Sequence, residues 1–378
     1  MKKLLFIFFF ITLVLPASPA AAADVETNAK SVILTESSTG EILYEDNADE
    51  RLPIASVTKI MTMLLIMEEV DSGNISLDDM VPVSENAMSY GGSTMFLEAG
   101  EKLSVNDMLK GIAVASANDG CVAMAEFISG SEAAFEEKMN EKAAELGMEN
   151  TVFKNTNGLD EDGHYSSARD VAIMSAELMK HEKIFDYTGI WTDSLRDGKF
   201  ELANTNKLIR FYDGANGLKT GSTSGALCCI SATAKRNGMQ LIAVVLGAPT
   251  SDDRFNSARN LLDYGFANYS ISVLAEENEE IERPSLEKGT APDIGAVASK
   301  NVTALFKRGE GDNIVRECEY TVPLTAPIQK GDKIGTVKFK SNGEAVAVCD
   351  LLAAESVDKK GMGIILKDLF LTILGGIL

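Results

Sequence analysis

The period of hydrophobic and polar positions changes several times along the chain, and each change predicts a change of element. Residues 31–35 and 41–44 are strand-like and flank Ser37-Ser38-Thr39-Gly40, which reads as a hairpin turn. After Pro53 comes an apolar stretch from Ile54 to Val70. Ile60, Met61, Met63, Leu64, Leu65, Ile66 and Met67 cover nearly every face of a helix there, so the helix is predicted to be buried all round and to end at Asp71 and Gly73. From 104 to 180 the pattern is mainly helical. Ser104 stands where it can cap a helix through Met108 and Ile112. Residues 121–128 and 133–146 read as further helices, the second stopped by Gly147, and 170–181 is helical again. Residues 155–167 turn to Asn, Gly, Asp and Ser and form a loop.

From Gly217 to Gly247 the period becomes that of strands. Residues 225–234 and 239–246 are joined by Arg236-Asn237-Gly238, and Asn-Gly between apolar runs is a hairpin signal. A helix over 254–269 follows. Strand pair, buried helices, strand hairpin and helix predict an α+β fold with an antiparallel sheet flanked by helices. The charged run at 276–280 marks a boundary. Beyond it, to about 357, Val/Thr-rich segments separated by Pro323, Pro327, Gly331 and Asn342-Gly343 predict a small all-β sandwich domain.

The two ends read differently. Lys2 and Lys3 precede an apolar run over 4–15 and small residues up to Ala23, the pattern of a secretory signal peptide cleaved near Ala23. The run is too short to span a bilayer. At the other end, Lys359, Lys360 and Lys367 are followed by Leu369, Phe370, Leu371, Ile373, Leu374, Ile377 and Leu378. One half of that helical wheel is apolar, which fits an amphipathic helix lying in a membrane interface. The expected division is signal peptide 1–23, first domain 24–275, β-rich domain 276–357 and membrane anchor 358–378. The expected location is the outer face of the cytoplasmic membrane.

Charge and rare residues narrow the chemistry. Lys plus Arg total 35 against 56 acids, a net charge of -21, so a phosphate backbone is repelled and no nucleic-acid partner is expected. Five cysteines leave at least one unpaired; they read best as small buried hydrophobes, with a Cys318–Cys349 bridge left open. Only His164 and His181 are present and there is no C-x-x-C pair, so neither a metal nor another cofactor is expected. A general base is then sought among Lys, Asp and Glu.

Ser56-Val57-Thr58-Lys59 puts a hydroxyl and an amine on one face at the mouth of the buried helix. The free N–H groups there suit an oxyanion. Lys59 can act as a base only when neutral, and burial together with a second cation would keep it so. Ser285-x-x-Lys288 and Ser356-x-x-Lys359 share the spacing but open no buried helix, and read as surface residues. Ser116-Ala117-Asn118 is a polar break after the buried run Ile112-Ala113-Val114-Ala115. Ser116 could pass a proton to a leaving amine and Asn118 could bind a substrate amide. Lys219-Thr220-Gly221, at the end of a strand-like segment, supplies the second cation, and Gly221 would let a substrate backbone approach the strand edge.

In this order the three elements follow the S-x-x-K, S-D-N and K-T-G set of class A β-lactamases and penicillin-binding proteins, with Ser-Ala-Asn as the middle element here. The chain resembles the low-molecular-mass penicillin-binding proteins, the serine D-alanyl-D-alanine carboxypeptidases, over essentially its whole mature length. The likeness is carried by residues 53–62, by Asn157-Gly158-Leu159-Asp160 with Ser166-Ser167-Ala168-Arg169-Asp170, and by Gly217-Leu218-Lys219-Thr220-Gly221-Ser222. The family often has His where Asn157 and Ser222 stand. The resemblance implies a transpeptidase-like catalytic domain, and a stem peptide ending in D-Ala-D-Ala as substrate. It further implies β-lactams as covalent inhibitors and an acyl-enzyme on Ser56 with Lys59 as base. Backbone N–H groups of Ser56 and Ser222 would form the oxyanion hole, Lys219 and Thr220 would hold substrate, and Arg254 would bind the terminal carboxylate. Three rivals stand beside this: a β-lactamase, for which the Glu-x-x-Leu-Asn of class A enzymes is missing between Ser116 and Lys219; a transpeptidase; and a non-catalytic penicillin-sensing protein.

Overall fold

The computed structural model describes residues 25–363, apart from 312 and 322, and residue 366. The expected signal peptide and the apolar part of the expected anchor, from 367 onward, lie outside the described residues. Among the described residues no helix is long and apolar enough to cross a membrane.

The first layer set is built on five antiparallel strands: β1 (Ser31–Glu36), β2 (Ile42–Asp46), β3 (Ala215–Thr223), β4 (Leu227–Arg236) and β5 (Met239–Ala248), in the spatial order β2-β1-β5-β4-β3. An early segment and one more than 200 residues later thus meet at the centre of the sheet, where Ile33 pairs with Val244. Alternate residues face opposite ways. Val32, Leu34, Ala243 and Val245 face a long helix whose Phe255, Ala258, Leu261 and Leu262 cover them. Ile33, Ile242, Val244 and Leu246 face the helical half of the molecule. Both faces being covered explains why these strands are apolar without interruption rather than alternating.

Four helices matter for the site: α1 (Lys59–Asp71), α2 (Asn118–Ser129), α3 (Ala168–Met179) and α4 (Ser251–Asn268). Helix α1 is buried from Lys59 through Met67, as its apolar wrap predicts. Ser104 caps the helix Val105–Lys110 by accepting from the Asp107 N–H, also as predicted. The β4–β5 turn has Asn237 at φ 50° and Gly238 at φ 82°, the left-handed pair a two-residue hairpin needs.

Lys219-Thr220-Gly221 lies in the middle of β3 rather than at a strand's end. Its flanking glycines, Gly217 and Gly221, disguise a nine-residue edge strand.

Beyond α4, Tyr269–Ala275 pairs with Val302–Lys307. A second five-stranded sheet runs in the order Glu280–Glu282, Ala296–Ala298, Glu344–Ala353, Lys333–Ser341, Ile314–Tyr320. Val337, Phe339, Leu351 and Ile294 form its core. All five cysteines are free. Cys318 and Cys349 both pair with Val337 from opposite sides, so a whole strand separates them. Two interstrand spacings amount to about 10 Å, too far for a disulfide.

Candidate active site

Ala55 takes a left-handed φ of 48° and delivers the chain into a single 3-10 turn, Ala55–Thr58, that leads straight into α1. Ser56 is half-buried at this entrance, and Lys59 is wholly buried one turn on. The Lys59 Nζ lies 2.8 Å from Ser56 Oγ, 2.6 Å from Asn118 Oδ1 and 2.6 Å from the Asn157 carbonyl oxygen. Two of these three, the amide oxygen and the carbonyl, can only accept. A neutral amine must spend its two hydrogens on them, which leaves its lone pair directed at the serine hydroxyl. The geometry therefore aims Lys59 as a base.

Burial pulls the Lys59 amine down to about 8, while the Asp119 carboxylate acts against this shift. Lys219 is equally buried and is held well below its usual value, first by burial and then by the positive charge of Lys59. Of the two causes expected, burial and a second cation, burial is the larger at both amines, and the neighbouring lysine's charge adds to it at Lys219. Lys219 Nζ donates to its neighbour's carbonyl, Thr220 O, at 2.9 Å.

Ser116 is nearly buried and left-handed, φ 64°, at the joint between the π-turn Gly111–Ala115 and α2. Asn118 opens α2. Its backbone N–H donates to Ser93 O (2.7 Å) and its Nδ2 to Gly91 O (2.8 Å), which fixes the amide oxygen toward Lys59. Asp119 is buried and accepts from the N–H groups of Met95 (3.1 Å) and Leu97 (3.0 Å), so the 91–97 loop is fastened to the start of α2. On the opposite wall the Thr220 hydroxyl donates to Thr205 Oγ1 at 2.7 Å, and the Thr205 N–H reaches Val114 O at 3.3 Å. Thr205 thereby ties β3 to the Ser116 joint.

The reason for glycine at 221 differs from the expected one. A Cβ there would stand 2.7 Å from Ile54 O and 2.8 Å from the Ser56 nitrogen. The strand needs a glycine because the nucleophile segment lies against it, which brings the Ser56 N–H beside β3. Ser222, next along, is exposed and pairs with Cys228. Arg254, in the first turn of α4, is buried. It donates to Gly221 O (3.1 Å), Cys229 O (3.4 Å) and Ser251 Oγ (3.1 Å) and stacks on Phe255. None of these partners is anionic. Ser56 and Asn118 both contact Lys59, Gly221 abuts the Ser56 nitrogen, Thr220 and Lys219 stand beside Gly221 on β3, and Arg254 donates to the Gly221 carbonyl of that strand. Among the described residues no group of three His, Cys, Asp or Glu is arranged to hold a metal ion.

Residues 17–250 match the model of the family described as D-alanyl-D-alanine carboxypeptidase, and residues 269–359 match that of the penicillin-binding protein 5 C-terminal domain. The chain is 46% identical to the D-alanyl-D-alanine carboxypeptidase DacF of Bacillus subtilis, with 97% of each chain covered. The chain belongs to the D-alanyl-D-alanine carboxypeptidase family. Among solved structures, penicillin-binding protein 5 of Haemophilus influenzae is 32% identical with a TM-score of 0.77, covering 88% of this chain and 98% of that one. Penicillin-binding protein D2 of Listeria monocytogenes, solved with ampicillin bound, is 33% identical with a TM-score of 0.57, covering 64% of this chain and 99% of that one.

This carboxypeptidase fold carries site residues that the three motifs do not announce. The Asn157 carbonyl is one, and main-chain atoms leave no mark in a motif. Gly158, at φ 84°, lies so close to the nucleophile segment that a Cβ would fall 1.9 Å from Ala55 O. His164 Nδ1 accepts the Lys154 N–H (3.1 Å), so its Nε2 carries the hydrogen and donates to Thr58 Oγ1 (2.8 Å). Burial pushes that imidazole down to about 4, which keeps it neutral and structural. Besides the family likeness at Asn157-Gly158-Leu159-Asp160, the signal there is the density of Asn and Gly over 155–158, residues that fold a loop by hydrogen-bonding their own backbone. Asn155 Oδ1 does so, accepting from the Gly158 N–H at 2.7 Å.

Proposed function

We propose that this carboxypeptidase removes the terminal D-alanine from peptidoglycan stem peptides through an acyl-enzyme on Ser56, and that β-lactams acylate the same hydroxyl. One observation carries the reading: the buried Lys59 Nζ contacts two obligate acceptors and Ser56 Oγ, so that in its neutral form the amine gives its hydrogens to the two acceptors and its lone pair to Ser56 Oγ. In this reading Lys59 takes the serine proton as Oγ attacks the carbonyl between the two D-alanines. Backbone N–H groups of Ser56 and Ser222 receive the developing oxyanion. Ser116 passes a proton to the departing D-alanine amine, and water then hydrolyses the ester. Asn118, Thr220 and Lys219 hold the substrate along β3, where Gly221 lets the Ser56 N–H lie close to the strand. Arg254, a buried cation whose partners are carbonyls and a hydroxyl, supports recognition of the free carboxylate that an exopeptidase must read.

A penicillin-treated sample of the mature protein, weighed intact and then mapped by peptide, should carry one penicilloyl group on Ser56. Ser56→Ala should lose both the adduct and D-alanine release. Rapid turnover of penicillin would point to a β-lactamase instead, and an amide product with an added amine would point to transpeptidation.

The same reading places residues 1–23 as a signal peptide, 24–275 as catalytic domain, 276–357 as β-rich domain and 358–378 as an anchor at the outer face of the cytoplasmic membrane. The exposed Met362 and Leu366 at the start of the last segment accord with an apolar face there. Deleting residues 358–378 should shift the protein from the membrane fraction to the soluble fraction with its D-alanine release intact. Continued sedimentation with membranes would overturn the anchor.

A further inference from the structure

Phe96 holds a conformation that neither its backbone nor its ring prefers. Its φ is 53°, a left-handed value that bulky side chains rarely adopt, and its ring is 73% exposed. Burial therefore does not repay the strain. Arg196 clamps the residue in place. Itself at φ 53°, Arg196 donates to Met95 O (2.9 Å) and Phe96 O (3.2 Å) and is locked by Glu101, 2.6 Å from its Nε. Phe200 meets the Phe96 ring edge-on at 5.9 Å, and the Arg196 guanidinium lies 5.7 Å from the Phe200 ring centre. Two strained residues and an ion pair thus serve to hold an apolar surface out in water. Strain that is maintained without burial is characteristic of a binding surface.

Both supports of this shelf run directly into the catalytic site. Phe96 follows Ser93, whose carbonyl receives the Asn118 N–H. Phe200 opens the strand Phe200–Ala203, which leads to Thr205 and its hydroxyl bond to Thr220. Three residues of chain, from Ser93 to Phe96, span at most about 10 Å, so the Phe96 edge of the shelf lies no farther than that from the Asn118 contact. A four-residue acyl portion reaches about 13 Å when extended.

Resting on the carboxypeptidase reading, we infer that the Phe96–Phe200 shelf binds the part of the substrate remote from the scissile bond, the aminosugar end that carries the stem. The apolar faces of a sugar ring suit an exposed aromatic edge, and the one Arg196 N–H not already given to Glu101, Met95 O or Phe96 O suits a hydroxyl or acetamido oxygen. The shelf therefore distinguishes a stem still attached to glycan from a free peptide.

The test compares two substrates: an acetylated tripeptide ending in D-Ala-D-Ala and a disaccharide pentapeptide. Phe96→Asn removes the ring while suiting the left-handed backbone, and Phe200→Ala removes the other ring with no change at 96. Each should raise KM for the disaccharide substrate about tenfold, with kcat unchanged and the tripeptide within about twofold of wild type. Penicillin labelling of Ser56 reports that the site is intact in both variants. Equal losses on the two substrates, or no loss on either, would overturn the shelf while leaving the carboxypeptidase reading standing. A wild-type protein that releases D-alanine from neither substrate would overturn both.

Discussion

Replacing Lys59 by Met is expected to slow both D-alanine release and penicillin acylation about 10⁴-fold. The hydroxyl of Ser56 is a poor nucleophile without a base, and Lys59 is the amine in contact with it, at 2.8 Å. Met fills the buried volume without a charge. It does leave Asn118 Oδ1 and the Asn157 carbonyl without their donor, which costs about 1–3 kcal/mol per group. Removal of an amine that pays a desolvation penalty when charged offsets part of this. A 10⁴-fold loss corresponds to about 5.5 kcal/mol of barrier, and it is read per folded molecule, so a loss of fold stability does not stand in for it. The wild-type pH profile checks the same assignment. A base works in its unprotonated form, and burial lowers Lys59 to about 8, so the acylation rate should climb as pH passes through about 8. An ordinary lysine would delay that climb to about 10.4. The residual activity of the Met variant should lack the climb. A Met variant that keeps a tenth of the wild-type acylation rate would remove Lys59 from the mechanism.

Gly158→Ala should damage stability and catalysis together. The added methyl would fall 1.9 Å from Ala55 O, 2.4 Å from Ala55 C and 2.8 Å from Thr58 Oγ1, at a residue with φ 84°. A left-handed alanine costs about 1–2 kcal/mol. Forcing apart a close-packed contact adds about 1–3 kcal/mol. The backbone that must yield is the one carrying Ser56, and a displacement of about 1 Å there is worth about 10²-fold in rate. Gly163→Ala is the matching control. It has the same φ of 84°, but its added methyl would meet only Lys154 Cε, at an ordinary 3.7 Å. Urea unfolding should show the backbone cost in both variants and the larger loss at 158, with acylation falling only there. If the two variants behave alike, the contact between the 155–167 loop and the nucleophile segment does not position Ser56.

What the sequence reveals of this site follows the range over which its interactions act. Ser56 and Lys59 are one helical turn apart, and that periodicity is local. The wrapping of apolar residues around α1 likewise states that the helix is central. The three motifs are legible because each is a short run with side-chain chemistry. Long-range contacts are not. The Asn157 carbonyl, the Thr205 bridge between walls and the abutment of Gly221 on Ser56 depend on how distant segments meet, and a main-chain oxygen looks the same at every residue. The strand Tyr269–Ala275 illustrates the same limit. It precedes the charged run at 276–280, yet pairs with Val302–Lys307 beyond that run, a pairing that no local period announces. The hairpin of Thr192–Leu195 and Phe200–Ala203 went unread, since its strands are short and polar.

The burial of Lys59 beneath segments drawn from both ends of the first fold has a consequence for the nascent chain. In an unstructured polypeptide that amine is solvated, keeps its proton at neutral pH, and offers Ser56 no help. Reactivity therefore requires helix, loop and edge strand to have closed around that amine, and the unfolded chain carries Ser56 as an ordinary hydroxyl.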